Sequence, residues 1–270
     1  MNRVIIYGVF SQDWMDALHP DCEMWNSVEN ADLVLNCSAS QSLLPAKSDE
    51  FRDVIIPLLE KHIGETPTGY ASLIPDAIGL DLFQDKQKFD QLLKELSLSS
   101  FAPRRLDFKE PHNYPIVLKR LDLRGGIGVE LIKSESDLIN AVTSHMWFGQ
   151  NYILQEFIEG GNEFVWHAVY KDGIKIWDST IEYVMGANEI IRMGNSTFTM
   201  NRISLSAECF TVFDAILRSM NFSGPCNIDF KLSGTGPKIF EINPRLGGSL
   251  MKKENHDLLA QCLTAIIDAA

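Results

Sequence analysis

The stretch CNIDFKLSGTGPKIFEIN, residues 226–243, sets carboxylates and amides at strand spacing. Alternation along a strand puts Asn227 and Asp229 on one face and Ile228 and Phe230 on the other. In the second strand Glu241 and Asn243 share a face, with Phe240 and Ile242 opposed to it. Ser233-Gly234-Thr235-Gly236 between them carries turn chemistry. A hairpin closing symmetrically about Thr235 sets Asp229 across from Glu241 and Asn227 across from Asn243. Two carboxylates directly opposite destabilise a sheet. A hard divalent cation removes that repulsion, and Mg²⁺ is typically held by one or two carboxylates plus substrate phosphates. A solvated polar face, one pair out of register, satisfies the same spacing.

A second group of residues suits an anion. Lys119 ends an apolar strand pattern and leads through Arg120 to Arg124-Gly125-Gly126-Ile127-Gly128. Glycines let backbone N–H groups approach an anion, and a lysine supplies a point charge to phosphate. The loop is neither a GxxxxGK[ST] phosphate loop nor a dinucleotide fingerprint, since a strand pattern follows it. An ordinary glycine hairpin has the same composition. Gln155-Glu156-Phe157-Ile158 offers backbone groups to a purine or forms a plain buried strand, and Glu163 offers a carboxylate to ribose hydroxyls or to solvent. Arg245 follows the acidic strand directly, as a salt-bridge partner or a ligand contact, and Gly247-Gly248 lead into a pattern read as a helix start.

These residues need positioning elements. Val4–Tyr7 and Leu33–Leu35 read as buried strands, and 51–62 carries Val54, Ile55, Leu58 and Leu59 at helical spacing. A helix is predicted over 85–96, with Phe89, Leu92, Leu93 and Leu96 on one face. Strands follow at 115–119, 129–132 and 152–158, with a helix after the capping pattern Ser134-Glu135-Ser136-Asp137. Lys171-Asp172-Gly173 joins strands at 164–170 and 174–179 as a hairpin. A helix over 207–220 precedes the acidic hairpin, and Leu258, Leu259, Cys262, Leu263, Ile266 and Ile267 form one stripe of a last helix.

Composition excludes several classes. The 270 residues are 45% hydrophobic and carry a net charge of -12, which repels a nucleic-acid backbone. Five scattered cysteines without a CxxC pair fit a reducing compartment better than a disulfide framework or a zinc site. The opening MNRVIIYGVF is too short an apolar run for a signal peptide, and no run is long enough to span a membrane, so a cytoplasmic protein is expected. Six dispersed histidines and the lack of a GxSxG elbow leave a serine hydrolase unsupported. His167, inside an apolar strand, reads as a core histidine.

In order along the chain, YPIVLKRLDLRGGIGV, LQEFIEGGNEF and NIDFK followed by FEINPRLGGS resemble the ATP-grasp superfamily, from about residue 66 to the C-terminus. The resemblance implies an α/β (α+β) architecture: a small N-terminal lobe over 1–80, a lobe with a Gly-rich lid over 81–157, and a C-terminal lobe with the metal site over 158–270. ATP would lie between the last two lobes. Lys86 and Lys119 would contact its phosphates, under the cofactor-binding Gly-rich turn of Arg124, Gly125 and Gly126. Glu156 and Ile158 would meet the adenine through backbone groups, with Gln155 and Phe157 in the same cofactor-binding stretch, and Glu163 would bind the ribose. Asp229, Glu241 and Asn243 would hold Mg²⁺ or Mn²⁺. Arg245 and Lys119 would be the catalytic cations, neutralising charge in phosphoryl transfer. Arg192, Arg202, Arg245 and Ser249 are candidates for gripping an anionic substrate. The implied activity is ligation of a small carboxylate to an amine through an acylphosphate, with ADP released. A small-molecule kinase and a non-catalytic nucleotide-binding module are the alternatives. A homodimer is also implied. Ser97 departs from the pattern, standing where relatives carry glycine after the helix.

Overall fold

The computed structural model describes residues 1–37, 44–47, 49–110, 112–121, 127–186 and 198–270. Its strands are β1 (Asn2–Tyr7), β2 (Leu33–Cys37), β3 (Arg52–Pro57), β4 (Arg105–Leu106), β5 (Ile116–Arg120), β6 (Val129–Ile132), β7 (Tyr152–Glu156), β8 (Glu163–Lys171), β9 (Ile174–Met185), β10 (Phe198–Ile203), β11 (Gly224–Ser233) and β12 (Gly236–Asn243). Its helices are α1 (Gln12–Ala17), α2 (Glu60–Gly64), α3 (Ala77–Gln84), α4 (Lys86–Glu95), α5 (Glu135–Thr143), α6 (Ala207–Ser219) and α7 (His256–Ala269). The strands form three sheets, ordered β2-β1-β3, β4-β7-β5-β6 and β10-β9-β8-β11-β12. The first is parallel; the other two are antiparallel.

The helical reading of 51–62 is wrong for its first half. Val54, Ile55 and Ile56 are fully buried in β3, and only Glu60–Gly64 is helical. A continuous β-branched run covered on both faces is the mark of a parallel strand, and here it mimicked helical spacing.

The remaining elements follow local chemistry. Ser134 caps α5 through Asp137 N, as the capping pattern predicts. Asp172 and Gly173 both have positive φ, 51° and 72°, as a two-residue hairpin turn of this hand requires. The α7 stripe is buried together with Trp14, Val54, Val165 and Ile181, so this helix joins the first sheet to one face of the third. The other face of the third sheet packs on α6 and α4 through Trp166, Phe213, Phe230, Phe89 and Leu93. The second sheet has its own small core around Leu118, Leu138 and Trp147.

Candidate active site

The third sheet is the floor of a cleft of about 410 Å³, walled by the second sheet and closed at one end by residues around α1. Register decides which side chains face it. Asp229 pairs with Val165 on one side and with Glu241 on the other; Asn227 pairs with His167 and with Asn243. Directly opposed residues share a face, so these rows point one way.

The predicted carboxylate pair is present, but the hairpin is not symmetric about Thr235. Ser233 pairs with Gly236, which leaves a two-residue turn, and Phe230 pairs with Ile239. A bulge at Phe240 then restores Asp229 to Glu241. A bulge turns consecutive residues toward one side. Phe240, expected on the opposite face from Glu241, therefore lines the cleft beside it.

The Asn243 amide nitrogen lies 3.1 Å from Asn227 Oδ1, 3.4 Å from Asp229 Oδ2 and 3.3 Å from Glu241 Oε1. A donor thus occupies the centre of an oxygen-rich cluster, where positive charge is favoured. Lys119 Nζ stands 3.6 Å from Glu241 Oε2. Burial pushes the Glu241 carboxyl up. Lys119, the Asn243 amide, Lys86 and Arg245 outweigh it and hold the group below the usual carboxylate range. The Glu241 carboxylate, held ionised, and the oxygen donors beside it suit Mg²⁺. Among the described residues, no three His, Cys, Asp or Glu side chains cluster as a metal site; the third polar group beside Asp229 and Glu241 is the Asn243 amide.

Gln155, Glu156, Phe157, Ile158 and Glu163 all line the cleft with Lys119. The Glu156 carboxylate accepts from Arg104 N and Lys238 Nζ, at 3.0 and 3.5 Å, which fixes the end of β7. Lys86 opens α4 and reaches Leu121 O at 3.4 Å. Arg124, Gly125, Gly126 and Arg192 lie outside the described residues. Arg202 does not line the cleft; it makes a two-pronged bond to Asp257 and also donates to Glu254 O. Gly247-Gly248 open only a four-residue 3-10 turn, Gly248–Met251, rather than a helix.

Arg245 is held from several sides. Its Nε is 3.3 Å from the buried Glu60 carboxylate, and its guanidinium lies 5.8 Å over the Trp14 ring. Asn227 Nδ2 donates to Arg245 O at 3.1 Å. Behind it His167 is fully buried, with Nε2 2.7 Å from Ser249 Oγ. Burial, with Arg245 adding to it, pushes the imidazole down to about 3, so it is neutral. A Cβ on Gly247 would lie 2.2 Å from His167 Cε1, so glycine is required there.

Sequence reasoning missed Lys231, Glu60 and the α1 wall of Phe10, Asp13 and Trp14. Lys231 lines the cleft with its ammonium 3.3 Å from Gly160 O and 5.9 Å from the Phe157 ring centre. Burial lowers its proton affinity, and Glu163 opposes that. Its signal was available, because Lys231 follows Asp229 by two in an alternating strand. The α1 wall had none, since tertiary packing alone brings it to the cleft.

The sequence family described as ATP-grasp domain matches residues 83–249, more than half of the chain. The carbamoyl phosphate synthase large chain of Synechocystis sp. is 26% identical over 191 residues, covering 63% of this chain and 17% of that protein. Human mitochondrial carbamoyl-phosphate synthase [ammonia] is 26% identical over 184 residues, covering 63% of this chain and 12% of that protein. The chain thus spans less than a fifth of the length of these curated relatives. D-alanine–D-alanine ligase from Bacillus anthracis, complexed with ATP, superposes with a TM-score of 0.65 at 15% identity, covering 100% of this chain and 95% of that one. An L-amino acid ligase from Bacillus licheniformis superposes with a TM-score of 0.58 at 16% identity, covering 97% and 74%. At such identities the likeness concerns the fold.

Proposed function

The chain belongs to the ATP-grasp family, and on that premise we propose that it is an ATP-dependent ligase that activates a small carboxylate as an acylphosphate and couples it to an amine. The observation that carries this reading is the Asp229–Glu241 pair in register, bridged by the Asn243 amide, with Lys119 3.6 Å from Glu241. Asp229, Glu241 and Asn243 would hold Mg²⁺, which requires the Asn243 amide to turn over so that its oxygen replaces the nitrogen now facing the carboxylates. The metal would supply charge neutralisation at the phosphates of bound ATP.

Lys119 and Arg245 would neutralise the negative charge that develops as the acid's carboxylate displaces ADP from the γ-phosphoryl group. Such transfer needs positioning and charge neutralisation more than a nucleophilic side chain. Phe157 and Ile158 would cover the adenine, and Glu163 would accept from the ribose. Lys231, beside Phe157 and opposed by Glu163, would keep that carboxylate oriented. The Glu60 tether and the Trp14 ring orient Arg245, so that a partly buried guanidinium meets the incoming acid with little rearrangement. The free thiols of Cys22, Cys209, Cys226 and Cys262 support a cytoplasmic setting.

The test uses hydroxylamine as a general amine. The full chain is incubated with MgATP, hydroxylamine and a mixed pool of carboxylic acids. ADP and acylhydroxamate should form together and depend on the acids. A stable phosphorylated product without hydroxamate would mark a kinase instead. Tight MgATP binding with no ADP under any pool would mark a non-catalytic module.

A further inference from the structure

Beyond Arg245 the cleft changes character. Trp14, under the guanidinium, packs edge-on against Phe10 with ring centres 4.6 Å apart. Tyr183 and Phe198 form a second edge-on pair at 4.9 Å, and Met200 lies in register with Tyr183. All five line the same cleft as the acidic hairpin, and none is among the residues assigned above to phosphate or metal. Rings of this kind cover a large apolar group and give nothing to a charged one.

The polar groups lining this end of the cleft are Arg245, Ser249, Asp13 and Lys252. Ser249 lines the cleft, and its hydroxyl is 2.7 Å from His167 Nε2. Among the described residues His167 Nδ1 is buried without a hydrogen-bond partner. A buried orphan N–H is rarer than an orphan acceptor, so Nδ1 is the bare nitrogen and Nε2–H donates to Ser249. The Ser249 O–H is then left to donate into the cleft. Arg245, which lines the same cleft, is a second donor for a carboxylate. Asp13, held by the Ser11 hydroxyl at 2.6 Å and facing Lys252 at 3.4 Å, stands at the rim one residue from Trp14.

We propose that the acid activated here is an α-amino acid with a large aromatic or apolar side chain. Its carboxylate lies on Arg245 and Ser249, its ammonium faces Asp13, and its side chain packs among Phe10, Trp14, Tyr183 and Met200. The inference rests on the ligase reading above and names the substrate class for that site. A carboxylate oxygen of the amino acid attacks the γ-phosphorus of ATP, the bond to the β–γ bridging oxygen breaks, and ADP departs with that electron pair. Attack of the amine nitrogen on the acyl carbon then expels phosphate, and the nitrogen loses a proton to solvent.

The experiment measures hydroxamate formation with MgATP and hydroxylamine, one acid at a time. Phenylalanine, tryptophan, leucine and methionine are set against alanine, aspartate, lysine and 3-phenylpropionate. One methylene in a fitted pocket changes kcat/KM by about 10-fold or more, so phenylalanine should exceed alanine by at least roughly 100-fold. It should also exceed 3-phenylpropionate, which lacks the ammonium. Phe10 is 40% exposed, so Phe10→Ala leaves the core intact. It should raise KM for the preferred aromatic acid about 10-fold and leave kcat nearly unchanged. Preference for alanine, aspartate or lysine, or equal use of 3-phenylpropionate, overturns the proposal while the ligase reading stands. An unchanged KM in Phe10→Ala also overturns it. No hydroxamate from any acid, with MgATP bound, removes the ligase reading and this inference with it.

Discussion

His167→Gln should flatten the acid limb of the protein's stability profile. His167 is 1% exposed, and burial lowers its pKa from an ordinary 6.5 to about 3. The unfolded chain takes up a proton near pH 6.5 and the folded chain does not, so stability is fully present above 6.5 and falls as pH drops. Between pH 8 and pH 5 the loss for this one group is about 2 kcal/mol, from 2.303RT over roughly one and a half pH units. At about 2–4 °C per kcal/mol for a chain near this size, that is roughly 4–8 °C in Tm. Glutamine keeps a donor for Ser249 and does not titrate, so parent and variant share every other group. The assay is thermal unfolding of both proteins at half-unit steps from pH 8 to pH 5. The parent should lose about 4–8 °C more than the variant over that range. Parallel profiles would refute the neutral, buried imidazole, and with it the reasoning that assigns the Ser249 proton.

Two further outcomes follow from local geometry. Ser97 closes α4 with φ 58°, Ser97 N donating to Lys94 O and Leu98 N to Leu93 O, so Ser97→Gly relieves a left-handed residue and should raise Tm by about 2 °C; a lower Tm would contradict that. Glu60→Gln leaves the Arg245 guanidinium, 14% exposed, without its buried counter-charge and should cost roughly 1–3 kcal/mol, read as a lowered denaturation midpoint at unchanged slope; an unchanged midpoint would show that the tether carries no energy.

The shared face of the hairpin's polar residues was legible because strand alternation is local. Asp229, Glu241 and Asn243 were placed on one face from their spacing, and the structure pairs them as expected. The route differed: the bulge at Phe240 corrects a turn one residue shorter than a symmetric closure needs. Alternation has no term for a bulge, so Phe240 was put on the wrong face. The buried run Val54-Ile55-Ile56 failed for a related reason, since a strand covered on both faces loses its period of two and can imitate a helix. Ser97 was visible as a departure, and its positive φ gives that departure a conformational cost. The aromatic end of the cleft was illegible. Phe10 and Trp14 lie near residue 12, Tyr183 and Met200 near residue 190, and Arg245 near the C-terminus, so only the packing of α1, β9 and β10 around α7 assembles them.

Nucleotide and metal should meet at the acidic hairpin. Calorimetric titration of ATP into the full chain, with and without Mg²⁺, on the parent and on Glu241→Gln, tests it most directly. The parent should bind one ATP in a Mg²⁺-dependent manner. Glu241→Gln, which removes a charge-assisted contact of about 1.5–3 kcal/mol, should weaken that binding by roughly 10- to 100-fold. Equal affinity in the two proteins, or ATP binding indifferent to Mg²⁺, would contradict the account.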